Sequence, residues 1–231
     1  MFKIALDAGH GLHTAGKRCM KKIDPKETRE WKLNARICEK IEEKLSAYEG
    51  YSLLRVDDPT GKTDVPLATR CKAANTFGAD LFLSIHHNAG ISGGSGGGIE
   101  VYVWKGATAE LIEVQKQFYG RLVTKTGLKG NRSNPLRKSD LYVLNNTKMP
   151  AILVENGFMD STTDTPLILS ESFADKAASA YAEVLVKIGK LTKKKTVTYR
   201  VQVGAYSKRA NAEATRDKLI AAGFPASIKS E

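Results

Sequence analysis

Leu81-Phe-Leu-Ser-Ile85 is a short apolar run that passes straight into His86-His87-Asn88. It reads as a buried strand delivering two histidines at its carboxyl end. Upstream, Pro66 sits in the first turn of a helix that ends near Gly78, and Tyr51-Ser-Leu-Leu-Arg-Val56 reads as a strand. Residues 27–48 place Leu33, Ile37, Ile41 and Leu45 at four-residue steps, with Trp31 two positions before them, which predicts an amphipathic helix. Earlier still, Ile4-Ala-Leu-Asp7 is a short buried strand ending at Ala8-Gly-His-Gly11, where the glycines permit a tight turn. Downstream come a glycine-rich loop (Gly90 to Gly98), a strand at Ile99-Glu-Val-Tyr-Val-Trp104 and a helix near 107–126. Ala151-Ile-Leu-Val154 is a further buried strand ending at Glu155, and a helix around 172–189 closes the body.

Strands alternating with helices predict an α/β layer with a mostly parallel sheet. In such sheets sites gather at the carboxyl ends of strands, and His10, His86 and Glu155 each lie within a few residues of one. Two histidines and carboxylates so placed suit a catalytic metal, which takes three nitrogen or oxygen ligands and keeps a fourth position for water. His10 and His86 can donate imidazole nitrogens. Glu30, or Glu27 one turn earlier, can supply the oxygen, and Glu155 then serves as base. His13 and His87 compete as ligands on the same grounds. If the strand continues, His87 points to the face opposite His86. Asn88 either orients substrate or caps the turn.

The chain has 231 residues, 42% of them hydrophobic and 26% charged, so it holds one ordinary domain and a small appendage. That balance excludes disordered, collagenous and low-complexity chains. Three cysteines (Cys19, Cys38, Cys71) without C-x-x-C spacing argue against a disulfide scaffold and for synthesis in a thiol-keeping cytoplasm. No apolar run approaches the length of a membrane span, and Met1-Phe-Lys-Ile-Ala-Leu-Asp7 meets a carboxylate too early for a signal peptide. From Lys190 to Glu231 ten basic residues face three acidic ones, against 26 and 22 in the rest. A basic tail on a nearly balanced body predicts contact with an anionic polymer, nucleic acid or bacterial cell wall.

Leu6-Asp-Ala-Gly-His-Gly11, Glu30-x-x-x-Asn34, Arg70-x-x-x-Ala-Asn75, Ser84-Ile-His-His-Asn-Ala89 and Pro150-Ala-Ile-Leu-Val-Glu-Asn-Gly-Phe158 occur in that order. Together they closely resemble the zinc-dependent N-acetylmuramoyl-L-alanine amidases of the amidase-3 type, found in bacterial autolysins and phage endolysins. The resemblance implies a six-stranded sheet flanked by helices over about residues 2–189. It also implies Zn2+ on His10, Glu30 and His86, with Glu155 as the catalytic glutamate. The implied reaction is cleavage of the amide joining the lactyl group of N-acetylmuramic acid to L-alanine of the stem peptide. One departure is the basic stretch Leu12 to Lys22, which stands where the family usually has an acidic glycine-rich loop and lengthens the gap from His10 to Glu30.

Residues 190–198 read as a basic linker after a catalytic domain at 1–189. Beyond it, Thr198-Tyr-Arg-Val-Gln-Val-Gly204 alternates like a strand, 208–222 reads as a helix stopped by Gly223, and Ala226-Ser-Ile-Lys229 begins another strand. This segment, 199–231, resembles half of a sporulation-related repeat, a peptidoglycan-binding family whose complete domain has two strand–helix–strand units. An orphan β-α-β half-domain exposes sheet edge and apolar face, so a homodimer through the tails is expected. The resulting expectation is a peptidoglycan hydrolase with no membrane span and no nucleic-acid partner. It is made in the cytoplasm, released by phage or mother-cell lysis, and acts at the cell wall. A catalytically inactive wall-binding protein is the alternative; retention of Glu155 argues against it. A mononuclear iron oxygenase would use the same two histidines and carboxylate. Nucleic-acid binding has only Tyr199 and Tyr206 for stacking. The G-x-S-x-G matches within Gly90–Gly97 precede a strand, whereas a nucleophile elbow needs a helix.

Overall fold

A computed structural model describes residues 1–195 and 201–230, which divide into two compact units, Met1–Lys194 and Lys195–Glu231. In the first unit the chain runs β1 (Phe2–Ala8), α1 (Glu30–Leu45), β2 (Tyr48–Glu49), β3 (Tyr51–Arg55), α2 (Leu67–Phe77), β4 (Leu81–Asn88), β5 (Ile99–Trp104) and α3 (Ala109–Thr126). It continues through β6 (Leu136–Ser139), α4 (Tyr142–Asn145), β7 (Ala151–Phe158), α5 (Thr165–Ile168), α6 (Glu171–Gly189) and β8 (Thr192–Lys193). Six strands form one sheet in the order β3-β1-β4-β7-β5-β6. All pairings are parallel except β5 with β7, so β5 and β6 run against the other four. The α/β class and the six-stranded, mostly parallel sheet are as expected.

Alternation decides which side chains face which layer. Ile4, Leu6, Leu83, Ile85, Val101, Val103, Ile152 and Val154 join the apolar faces of α1, α3 and α6 in the larger core. Ala5, Phe82 and Leu153 pack on the other face, under α2 and α4. The helices begin where their caps allow: Thr108 and Ser170 accept from the backbone N–H groups of Leu111 and Phe173. Pro66 is the residue before α2 rather than inside its first turn, and Gly78 closes that helix in the left-handed conformation.

The expected linker is in part strand. β8 pairs antiparallel with β2, which ties residues up to Lys194 to the first unit. The described residues of the second unit contain one helix, α7 (Arg209–Ala221), none of whose residues is buried. Of the strand expected at 198–204, residues 198–200 lie outside the described residues, and 201–204 are not strand. Nor are 226–229. A strand needs a neighbour to satisfy its backbone, and none of this unit's described residues is strand. Val201, Val203, Phe224 and Ile228 are accordingly exposed.

Candidate metal centre and catalytic carboxylate

The site forms where the central strands β1, β4 and β7 end. β1 stops at Ala8, and the chain turns at Gly9 and His10. Gly9 is required by contact: a Cβ there would lie 2.0 Å from the His86 ring. His10 adopts a left-handed φ of 68°, a conformation costly for a residue with a Cβ. Arg70, buried to 1% exposure, holds this turn in place. Its guanidinium donates to Asp7, to the Ala8 carbonyl at 2.8 Å, to the His10 carbonyl at 2.9 Å and to Asp64 at 3.0 Å, and its Nε donates to Val65 O at 2.8 Å. Asp7 also accepts from Ser84 Oγ at 2.6 Å, and Asn34 Nδ2 donates to Gly9 O at 3.1 Å. Arg70 and Asn34 entered the sequence reading only as members of motifs; their hold on the His10 turn needs three dimensions to see.

β4 does not stop at Ile85 but carries His86, His87 and Asn88 within it. Its pairing with β7 slips between His86 and Asn88, which lie opposite Glu155 and Phe158 respectively. The extra residue is in β7, at Asn156-Gly157, and Gly157 takes φ 106° to make the bulge. Asn156 fixes the kink by donating to His86 O at 3.1 Å while accepting from Tyr181 OH at 2.8 Å.

Glu30 is the first residue of α1 and is buried to 1% exposure at the top of the sheet. Its Oε2 lies 3.4 Å from His10 Nε2, and its Oε1 lies 3.1 Å from His86 Nδ1. One ligand atom from each of His10, Glu30 and His86 falls within 4.8 Å of the others. Burial alone would push the Glu30 carboxyl up, but hydrogen bonds and charge from the two histidines hold it well below the usual carboxylate range. Burial opposes a proton on His86, yet Glu30 outweighs it and raises that imidazole above its ordinary value.

The competing residues are placed elsewhere. Glu27 pairs with Arg18 at 3.1 Å, and His13 is outside the cluster. His87 packs beneath α1 with its Nδ1 2.7 Å from Asn34 Oδ1, on the face opposite His86. Asn88 is bound to Glu100, donating from Nδ2 at 2.9 Å, while its Oδ1 caps Ala89 N. In the basic stretch 12–22, Lys17 reaches within 3.8 Å of Glu30 Oε2.

Glu155 stands in register with His86. The residue is half-buried, but its Oε2 is sealed from solvent and has no hydrogen-bond partner among the described residues. Loss of water pushes its carboxyl up to about 7 against the lowering influence of His86, with Glu30 adding to the rise. An arrangement that brings two imidazoles and a carboxylate together beside a second, proton-ready carboxylate is equipped for hydrolysis by an activated water.

Residues 4–187 match the family model described as N-acetylmuramoyl-L-alanine amidase. The chain belongs to this family. The amidase is 32% identical to N-acetylmuramoyl-L-alanine amidase CwlM of Bacillus licheniformis over 230 residues, covering 99% of this chain and 85% of the relative. It is 33% identical over 192 residues to the endolysin of Bacillus phage SPP1, covering 82% of this chain and 66% of that one. Among solved structures it superposes on the N-acetylmuramoyl-L-alanine amidase of Clostridium difficile 630 with a TM-score of 0.71 at 26% identity, covering 80% and 95% of the two chains. Residues 195–231 match the SPOR domain. The amidase is therefore a peptidoglycan hydrolase, a body of amidase fold followed by a SPOR segment.

Proposed function

We propose that the amidase uses a zinc ion held by His10, Glu30 and His86 to cleave the amide between the lactyl group of N-acetylmuramic acid and L-alanine, with Glu155 as the general base. One observation carries this reading: two imidazole nitrogens and a carboxylate oxygen from three separate segments converge within 4.8 Å, next to Glu155. That donor set of two imidazoles and one carboxylate suits catalytic zinc, which takes its fourth ligand from water or substrate. Glu30 Oε2 supports the fit, being a buried oxygen that faces His10 Nε2 at 3.4 Å and is without a well-formed hydrogen bond among the described residues. Zinc bound there would lower the pKa of water and polarise a scissile carbonyl.

The chain's own residues do the rest. Glu155 takes a proton from the attacking water and returns it to the departing alanine nitrogen. Burial raises this carboxyl, which favours its holding the proton between the two halves of that transfer. Arg70 and Asn34 hold the left-handed His10 turn so that its imidazole meets Glu30. The basic SPOR segment brings the enzyme to peptidoglycan at the cell wall; no helix among the described residues is long and apolar enough to cross a membrane.

The test is mass spectrometry of peptidoglycan digested by the purified protein, with metal quantified in parallel. Stem peptides with free L-alanine amino ends on otherwise intact glycan are expected. Cuts confined to the glycan, or to peptide bonds beyond alanine, would overturn the reading.

A further inference from the structure

Glu100 is the register partner of Glu155 across β5 and β7, on the side away from His86. Directly opposed residues on paired strands share one face of the sheet, so His86, Glu155 and Glu100 form a row. Glu100 is buried to 1% exposure and fully committed to protein partners. Its Oε2 accepts from Asn88 Nδ2 at 2.9 Å and from Tyr102 OH at 3.1 Å. Its Oε1 accepts from Arg132 Nε at 3.3 Å and lies 3.8 Å from Arg137 Nη1. One buried carboxylate thus anchors two guanidinium groups, leaving one positive charge in excess.

Both arginines also have outward faces, 38% and 42% exposed. The Arg132 guanidinium lies 5.4 Å over the Phe158 ring and that of Arg137 6.0 Å over Tyr102. Rings and carboxylate together restrain the two planar forks. Among the described residues, neither Nη of Arg132 and no guanidinium nitrogen of Arg137 makes a hydrogen bond. Donors held this way on Glu100, itself one strand across the sheet from Glu155, fit a carboxylate. A single excess charge matches one carboxylate better than a phosphate dianion.

We propose that Arg132 and Arg137, anchored on Glu100, form a subsite that binds a carboxylate of the stem peptide while Glu155 acts at the amide. The inference rests on the reading of Glu155 given above. It assigns the arginines a positioning role: they hold the peptide away from the bond that breaks, so their contribution falls on KM more than on kcat. It also assigns Asn88 to the support of Glu100 rather than to direct contact with substrate.

The test uses soluble glycan–peptide fragments with free stem carboxylates, and the same fragments with those groups converted to carboxamides. Cleavage is read as new L-alanine amino ends. The wild type is expected to cleave the carboxylate form about 10-fold faster at limiting substrate, the discrimination lying in KM. Arg132→Gln with Arg137→Gln should bring that ratio to about one by slowing the carboxylate form. Arg137→Lys, which keeps charge but loses the fork, should give an intermediate ratio and guards against a failure of the double variant to fold. Lys116→Gln, on the exposed side of α3, should keep the wild-type ratio. A wild-type ratio of one, or a ratio unchanged in the arginine variants, overturns the subsite. If the wild type releases no new amino ends from either material, the amidase reading itself fails and the subsite falls with it.

Discussion

His86 and Glu155 lie directly opposite each other on the parallel strands β4 and β7, at the last regular pair before the Asn156-Gly157 bulge. The bulge starts immediately beyond them, so the two side chains are set by sheet geometry while the chain past them turns away. The proposed ligand and the proposed base, placed by the same ladder, keep their spacing without help from a mobile loop.

Glu155→Gln preserves shape and removes the proton acceptor. The variant should keep its metal and lose about 10²–10⁴-fold in kcat. Metal analysis beside a wall-clearing assay checks this; clearing at the wild-type rate would remove Glu155 from the chemistry.

Arg70→Met should destabilise the body by about 3–5 kcal/mol, because it leaves buried Asp7 without its cation and frees the His10 turn. Urea unfolding gives the number, and weaker metal retention should accompany it. A loss below about 1 kcal/mol would mean the turn holds itself.

His87 makes stability depend on pH. Burial pushes its imidazole down to about 3, so the folded protein keeps it neutral while the unfolded chain binds a proton below about 6.5. Its contribution is whole above pH 6.5 and is lost progressively as the pH falls towards 3. In that window each proton adds a slope of about 1.4 kcal/mol per pH unit. Metal-free wild type and His87→Gln, unfolded in urea at pH 6.5 and 4.5, should differ by that slope. Identical slopes would contradict a neutral buried His87.

Cys19, Cys38 and Cys71 are buried, and burial raises all three thiols, Cys19 to about 12. Since the thiolate is the nucleophile, a disulfide reagent at pH 8 should find no reactive thiol in the folded protein and three in denaturant. Rapid labelling of the native protein would contradict the packing around them.

Much of this architecture is visible in the pattern of residues. Apolar runs such as Leu81–Ile85 and Ala151–Val154 can be little else than buried strands, and His10, His86 and Glu155 follow strand ends that the α/β alternation brings to one edge. The limits of the strands are less legible. β4 and β7 run on through His86–Asn88 and Glu155–Phe158 because these polar residues pair with each other, which hydrophobic alternation does not register. β6, Leu-Arg-Lys-Ser, is an edge strand with little apolar content, and the reversed direction of β5 depends on loops rather than on its own residues. The Arg70 clamp joins groups up to 63 positions apart. In the tail, the alternation of Val201 and Val203 suggests a strand, but pairing needs a neighbour that local pattern cannot supply.

The most direct test is the zinc content of Glu30→Ala set beside that of Glu27→Ala and the wild type, measured on folded, dialysed protein. One zinc per chain is expected in the wild type and in Glu27→Ala, with little or none in Glu30→Ala. Full zinc in Glu30→Ala, above all if Glu27→Ala were empty, would contradict the His10–Glu30–His86 centre.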